Sequence, residues 1–276
     1  MAENDNNSRT LQEERTQRRI DLPPYETVAL MLQGGGALGA YQAGVYQGLH
    51  ETQIHPNWIA CISIGALNTA IIAGNAPEHR VTRLQEFWDT ICQPAFGFPV
   101  PAMLERALFD SADAIRKAFT TFQAASAIVE GQKGFFVPRF PPPSPIASSS
   151  PQTASYYDTT PLKATLERLC DFGRINSGET RVSVGAVNVA TGNFAYFDNT
   201  QIKLRAEHFI ASGASPPSFA AVEIDGQFLL GRRSHVEHAF TRLRRPRRAA
   251  TRSRSRSIYG ARKGRCPTAS SMSWAA

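Results

Sequence analysis

With 276 residues the chain can build one large domain or two small ones, and an apolar fraction of 42% suits a globular core. The net charge of +7 is uneven: residues 232–265 hold 13 Arg and Lys against one acid, Glu237, while the rest carries 17 bases against 22 acids. The body is therefore mildly acidic, and any nucleic-acid role rests on the tail alone.

Residues 1–24 are polar and charged, which predicts a disordered arm with no apolar leader segment. Cys61, Cys92, Cys170 and Cys266 lie far apart without a CxxC pair, as expected of idle thiols in a reducing compartment. The expected location is cytoplasmic, with peripheral membrane contact at most. "ETVALMLQ", residues 26–33, predicts a buried strand. Leu38, Tyr41, Val45 and Leu49 then recur at helical spacing. "WIACI", residues 58–62, predicts a second strand, and a helix follows over residues 64–73. The uncharged runs 27–49 and 58–74 are broken by Gln33, Gln42, Gln47, Ser63, Asn68 and Thr69, so each reads as strand, turn and helix rather than a membrane span.

Val81, Leu84, Trp88 and Ile91 share one face of a third helix. Over residues 94–157 the pattern loosens, and "PRFPPPSPIASSSP" (138–151) reads as a surface loop. A helix restarts with Thr160 as cap and Pro161 at its first position. "RVSVGAVNVATGNFAYFD" predicts two strands about Thr191-Gly192. "AEHFIASGASPP" predicts a helix stopped by Pro216 and Pro217, and "AAVEIDGQFLL" two strands about Asp225-Gly226. Strands alternating with helices imply an α/β fold with a largely parallel sheet.

The chemistry concentrates in two stretches. In "VALMLQGGGALGAYQAGVYQGL", Gly34, Gly36 and Gly39 spell GxGxxG, a phosphate-loop pattern. A dinucleotide site needs an acid at the end of the next strand, and "WIACI" ends without one. A mononucleotide loop needs GK[ST], and Leu38-Gly39-Ala40 stands there instead. What ends the strand is Ser63, in "CISIGALNTA". A serine between strand and helix, with Gly65 two places on, fits a nucleophile elbow. Cys61 stands two places before it, small but not glycine. Beside such a serine, the N–H groups of Gly34, Gly35 and Gly36 at a helix start suit a transient oxyanion better than a phosphate.

This ordered pair resembles the patatin-like phospholipases. "LQGGGALGAYQAGVYQGL" resembles their oxyanion-hole segment, "CISIGALNTAIIAGN" their elbow, and "ASGASPPSFAAVEIDGQFLL" the segment before their catalytic aspartate. The resemblance covers residues 26–230. It implies a three-layer α/β/α fold with a mostly parallel sheet, lipid or ester substrates, and a Ser-Asp dyad without histidine. Accordingly none of His50, His55, His79, His208, His235 and His238 lies in a triad-like motif. Ser63 would be the nucleophile, Gly34, Gly35 and Gly36 the oxyanion hole, and Cys61, Gly65 and Gly39 supports of elbow and loop. No metal or cofactor is called for.

The dyad aspartate is missing from its place. The family has Asp-Gly-Gly or Asp-Gly-Ala directly after the strand matching "GQFLL", whereas here Leu230 precedes Gly231-Arg232-Arg233. Asp225 sits in the turn before that strand and is not the base. Residues 231–276 also lack any apolar period. A one-base shift accounts for both: "GRRSHVEHAF" can be encoded so that reading one base later gives Asp-Gly-Gly-Leu-Met-Ser-Asn-Thr-Pro. The sequence is therefore expected to be a hydrolase domain over residues 25–230, C-terminally truncated by a lost reading frame, followed by a basic out-of-frame tail. The chain as written is expected to be impaired or inactive. A nucleotide-binding module using the GxGxxG loop and an RNA-binding protein using the Arg-rich tail are the competing readings.

Overall fold

The structure, a computed structural model, describes residues 25–93, 103, 107, 113–143 and 150–231. The N-terminal arm, most of the loose region before 113, part of the proline-serine stretch and the tail from Arg232 lie outside the described residues.

The strands are β1 (Ala29–Leu32), β2 (Trp58–Ile62), β3 (Val137–Pro138), β4 (Tyr157–Asp158), β5 (Arg181–Asn188), β6 (Phe194–Asp198), β7 (Val222–Ile224) and β8 (Gln227–Leu230). The helices are α1 (Gly39–Glu51), α2 (Ile64–Ala73), α3 (Arg80–Ile91), α4 (Asp113–Glu130), α5 (Thr160–Leu169), α6 (Phe172–Asn176) and α7 (Ala206–Gly213). β3 and β4 form a separate two-stranded ribbon; the other six strands form one sheet.

The sheet has a parallel centre, β1–β2–β5, to which β6 and β8 join antiparallel along β5, and β7 joins β8. β5 is the organising strand. Its residues 182–187 are all buried, as a strand covered on both faces requires. Val187 pairs with Phe194 of β6 and with Leu230 of β8, so those two strands hold opposite edges; Ser183 and Gly185 are likewise shared between β2 and β6. β2 and β8 therefore lie on the same edge of β5.

Helix α2 is the centre of the core. All ten of its residues are buried, and it packs against β1, β2, β5 and α1, α3, α5, α6 and α7. A helix apolar all round needs partners all round, and "IGALNTAIIA" has them. Each fully buried Leu or Ile here contributes about 2 kcal/mol. α3 buries Leu84, Phe87 and Ile91, with Val81 and Trp88 packed partly against the same cluster, as the sequence spacing predicts.

Three expectations need correction. The strand expected to be buried over residues 26–33 is the shorter β1, in which only Leu32 is buried, because it lies at the sheet edge paired with β2 alone among the described residues. The α5 cap is not Thr160, which is the first helical residue; Asp158 Oδ1 accepts both its N–H (2.9 Å) and its hydroxyl (2.7 Å). A carboxylate is the better acceptor at a helix start because it also meets the positive end of the dipole. The loose region also contains α4, an 18-residue helix.

Candidate active site

Ser63 stands alone between β2 and α2 with φ 57° and ψ −128°. A non-glycine residue in this left-handed conformation carries strain on the order of 1–3 kcal/mol, which the surroundings must hold in place. The turn is possible because the flanking packing is close. A Cβ at Gly65 would lie 2.3 Å from the Leu32 carbonyl oxygen, so only glycine lets α2 pass β1. Cys61 fills its buried place in β2, its Sγ donating to the Ser183 carbonyl at 3.5 Å. Burial pushes its thiol up to about 12, which keeps it protonated at neutral pH.

The glycine loop lies directly against the elbow. A Cβ at Gly34 would approach Ser63 Cβ to 3.1 Å and its Oγ to 3.6 Å. Gly36 has φ +56°, a turn that favours glycine, and lines the cavity beside Ser63. The N–H groups of Gly34, Gly35 and Gly36 have no hydrogen-bond acceptor among the described residues. Gly39 is wedged between Ile64 and Trp88, where a Cβ would come within 2.4 and 2.7 Å of their side chains.

A polar relay centred on the buried Asn68 fixes this loop. Gln42 Nε2 donates to the Gln33 carbonyl (2.7 Å), Asn68 Nδ2 donates to the Gly39 carbonyl (2.9 Å) and to Gln42 Oε1 (3.1 Å), and Trp88 Nε1 donates to Asn68 Oδ1 (3.0 Å). Sequence reading missed Asn68 as a loop support, because no local pattern marks a buried asparagine as bonded.

Ser63 opens onto an apolar cavity of about 220 Å³, whose walls include Leu67, Trp88, Ile91, Phe135, Leu162 and Phe219. No carboxylate lines it among the described residues. Asp198 is buried but belongs to the opposite end of β5, paired with Ser183. Asp225 is exposed and ion-paired with Arg205 at 3.2 Å. Among the described residues no group of three His, Cys, Asp or Glu gathers as a metal site. His208 is buried against Phe197, its Nδ1 accepting the Arg205 N–H, and serves packing.

The position directly after Leu230 is nevertheless close to the elbow. β2 ends with Ile62 opposite Gly185, and β8 arrives from the other direction with Leu230 opposite Val187. The two strands therefore run toward each other along the same edge of β5, and the residue after each, Ser63 and Gly231, falls in the gap between them. Both also touch Ser212: the Ser63 N–H donates to Ser212 Oγ at 2.8 Å, and a Cβ at Gly231 would lie 2.2 Å from the Ser212 carbonyl oxygen.

The family model described as patatin-like phospholipase matches residues 30–237. The chain belongs to the patatin-like phospholipase family. Among solved structures it is similar to VipD from Legionella pneumophila, with 16% identity and a TM-score of 0.40, over 75% of this chain and 46% of that one. The chain thus spans less than half the length of that relative. No curated protein matches it.

Proposed function

We propose that this patatin-like chain is a lipid acyl hydrolase built on a Ser-Asp dyad, with the aspartate missing from the sequence as written. Ser63 Oγ attacks the ester carbonyl and passes its proton to a carboxylate directly after Leu230. The carbonyl oxygen becomes an oxyanion held by the N–H groups of Gly34, Gly35 and Gly36. The tetrahedral intermediate collapses, the alcohol leaves with the proton, and water, activated by the same carboxylate, releases the fatty acid from Ser63. The acyl chain occupies the apolar cavity. The observation that carries this reading is Ser63, held at positive φ at the mouth of that cavity beside three N–H groups without acceptors. The same geometry argues against a nucleotide: the loop faces a serine and an apolar wall.

The register supports the placement of the base, since it brings position 231 to the elbow. With Gly231 there instead, the chain has a nucleophile without a base, a loss of roughly 10⁴- to 10⁶-fold in turnover. Cytoplasmic location with peripheral contact at a lipid surface fits the exposed Ile115, Phe122, Ile128 and Val129 of α4. No described helix is long and apolar enough to cross a membrane.

The test is release of free fatty acid from phosphatidylcholine vesicles by the protein in the frame that reads Asp-Gly-Gly after Leu230. Release that disappears with Ser63→Ala supports the proposal, and no release sinks it. Reading genomic DNA and transcript across the codons for residues 230–240 tests the frame itself: one base out of place is expected, and an unaltered frame in both would make this chain a disabled hydrolase.

A further inference from the structure

We infer that the C-terminal turn of α7 is the positioning element of this site, with the Ser212 hydroxyl holding the Ser63 elbow and the turn's carbonyl oxygens limiting what can stand at position 231. The inference rests on the reading of Ser63 as nucleophile. Ser212 is a positioning residue: it touches the backbone of Ser63 and not the reacting atoms.

Ser63 needs such a holder. Its N–H falls between the end of β2 and the first turn of α2, so neither ladder satisfies it. Ser212, fully buried, supplies the acceptor at 2.8 Å. The hydroxyl proton is committed elsewhere, donating to the Gly185 carbonyl at 2.6 Å, which leaves the lone pairs of Oγ for Ser63. One side chain thus ties α7 to both the elbow and the last β5 residue that pairs with β2. Remove the hydroxyl and a part-buried N–H loses its partner, while a strained backbone loses its restraint.

The same turn fixes position 231. The Gly231 N–H donates to the Ala214 carbonyl at 2.6 Å, and a Cβ at Gly231 would lie 2.2 Å from the Ser212 carbonyl oxygen and 2.9 Å from that of Ala214. These are backbone atoms and cannot rotate away. Around Gly231 the turn is closed in; a side chain there, the proposed aspartate included, needs the turn to stand further back, and the turn carries Ser212 with it. The positions of nucleophile and base are therefore set by one element and are coupled through it.

The test uses the full chain as written and needs neither aspartate nor lipid, so a failure to find hydrolysis leaves it intact. Ser63→Cys places a thiol at the elbow, beside the start of α2 and the glycine N–H groups, where its thiolate is favoured. The rate of alkylation by iodoacetamide is followed against pH, with mass spectrometry locating the modified residue; Cys61 stays unmodified because its buried thiol is pushed up to about 12. In this background Ser212→Ala is expected to slow alkylation at neutral pH about tenfold and to move the profile about one unit upward. Asp198→Ala, at the far end of β5, is expected to lower the melting temperature and leave the profile unchanged. An unchanged profile in folded Ser212→Ala protein would overturn the inference. So would an equal slowing by Asp198→Ala, which would mark general loosening.

Discussion

Each end of β5 holds a polar cluster, and the two are built to opposite purposes. At the first end, Asp198 Oδ2 accepts from Arg181 Nε (3.0 Å) and NH2 (2.8 Å) and from Ser183 Oγ (2.8 Å), while Oδ1 accepts from Thr200 Oγ1 (2.6 Å). Trp58 Nε1 donates to Ser183 Oγ at 3.0 Å, and the Arg181 guanidinium lies 4.2 Å from the Trp58 ring centroid. Burial alone would raise the Asp198 carboxyl, but these donors outweigh it and hold the group down at about 2. At the last end, Ser63 Oγ has no hydrogen-bond partner among the described residues, its backbone is strained, and the glycine N–H groups stand open. A satisfied cluster locks strands together; an unsatisfied one beside an apolar cavity is available for a reaction. Asp198 is a well-held buried carboxylate, and it lies at the other end of β5 from Ser63.

Four substitutions sharpen this contrast. The largest effect is expected from Ser63→Ala in the frame-restored protein, which should lower hydrolysis on the order of 10⁶-fold while leaving the melting temperature nearly unchanged. A large fall in melting temperature would instead mean that the elbow hydroxyl serves packing. Asp198→Ala should do the reverse, costing about 2–4 kcal/mol of stability by leaving Arg181 and Ser183 without their acceptor, as read from urea unfolding.

The same carboxylate gives a pH dependence. Its folded value of about 2 lies below the ordinary 3.8, so its contribution is present above the ordinary value and is lost as pH falls toward 2. That contribution is about 2 kcal/mol, and acid unfolding curves of wild type and Asp198→Ala should draw together between about pH 4 and pH 2. Parallel curves would contradict the assignment.

Gly65→Ala should cost about 1–3 kcal/mol and slow any Ser63 chemistry as well, because its Cβ meets the Leu32 carbonyl. Wild-type stability there would mean the elbow tolerates a wider turn. The smallest effect is expected from Cys61→Ala, about 1 kcal/mol with no change in reactivity at Ser63. A change in reactivity would give Cys61 a role beyond filling β2.

Much of this was legible before any coordinates. β2, α2, α3, the strand pairs about Thr191-Gly192 and Asp225-Gly226, and α7 ending before Pro216 all stand where period and turn residues put them. Ser63 and Gly34 meet because strand ends in a parallel pair lie side by side, which sequence order alone implies. Three things were not legible, for physical reasons. α4 has Ile115, Phe119 and Phe122 at helical spacing, but several of its apolar side chains are exposed, and the proline-rich surroundings hid the period. Ser212 sits in "AEHFIASGASPP", which reads only as a helix stopped by proline; its bond spans 149 residues to Ser63, and nothing local announces it. The tie of Asn68 to the glycine loop is equally long-range.

The most direct test of the central claim is labelling by a fluorophosphonate, a probe that reacts only with an activated serine, on two proteins side by side. The first is the chain as written; the second is the frame that places Asp-Gly-Gly after Leu230. The account predicts rapid labelling at Ser63 in the second and labelling slower by several orders of magnitude in the first. Equal labelling in both would contradict the missing base, and no labelling in either would contradict Ser63 as the nucleophile.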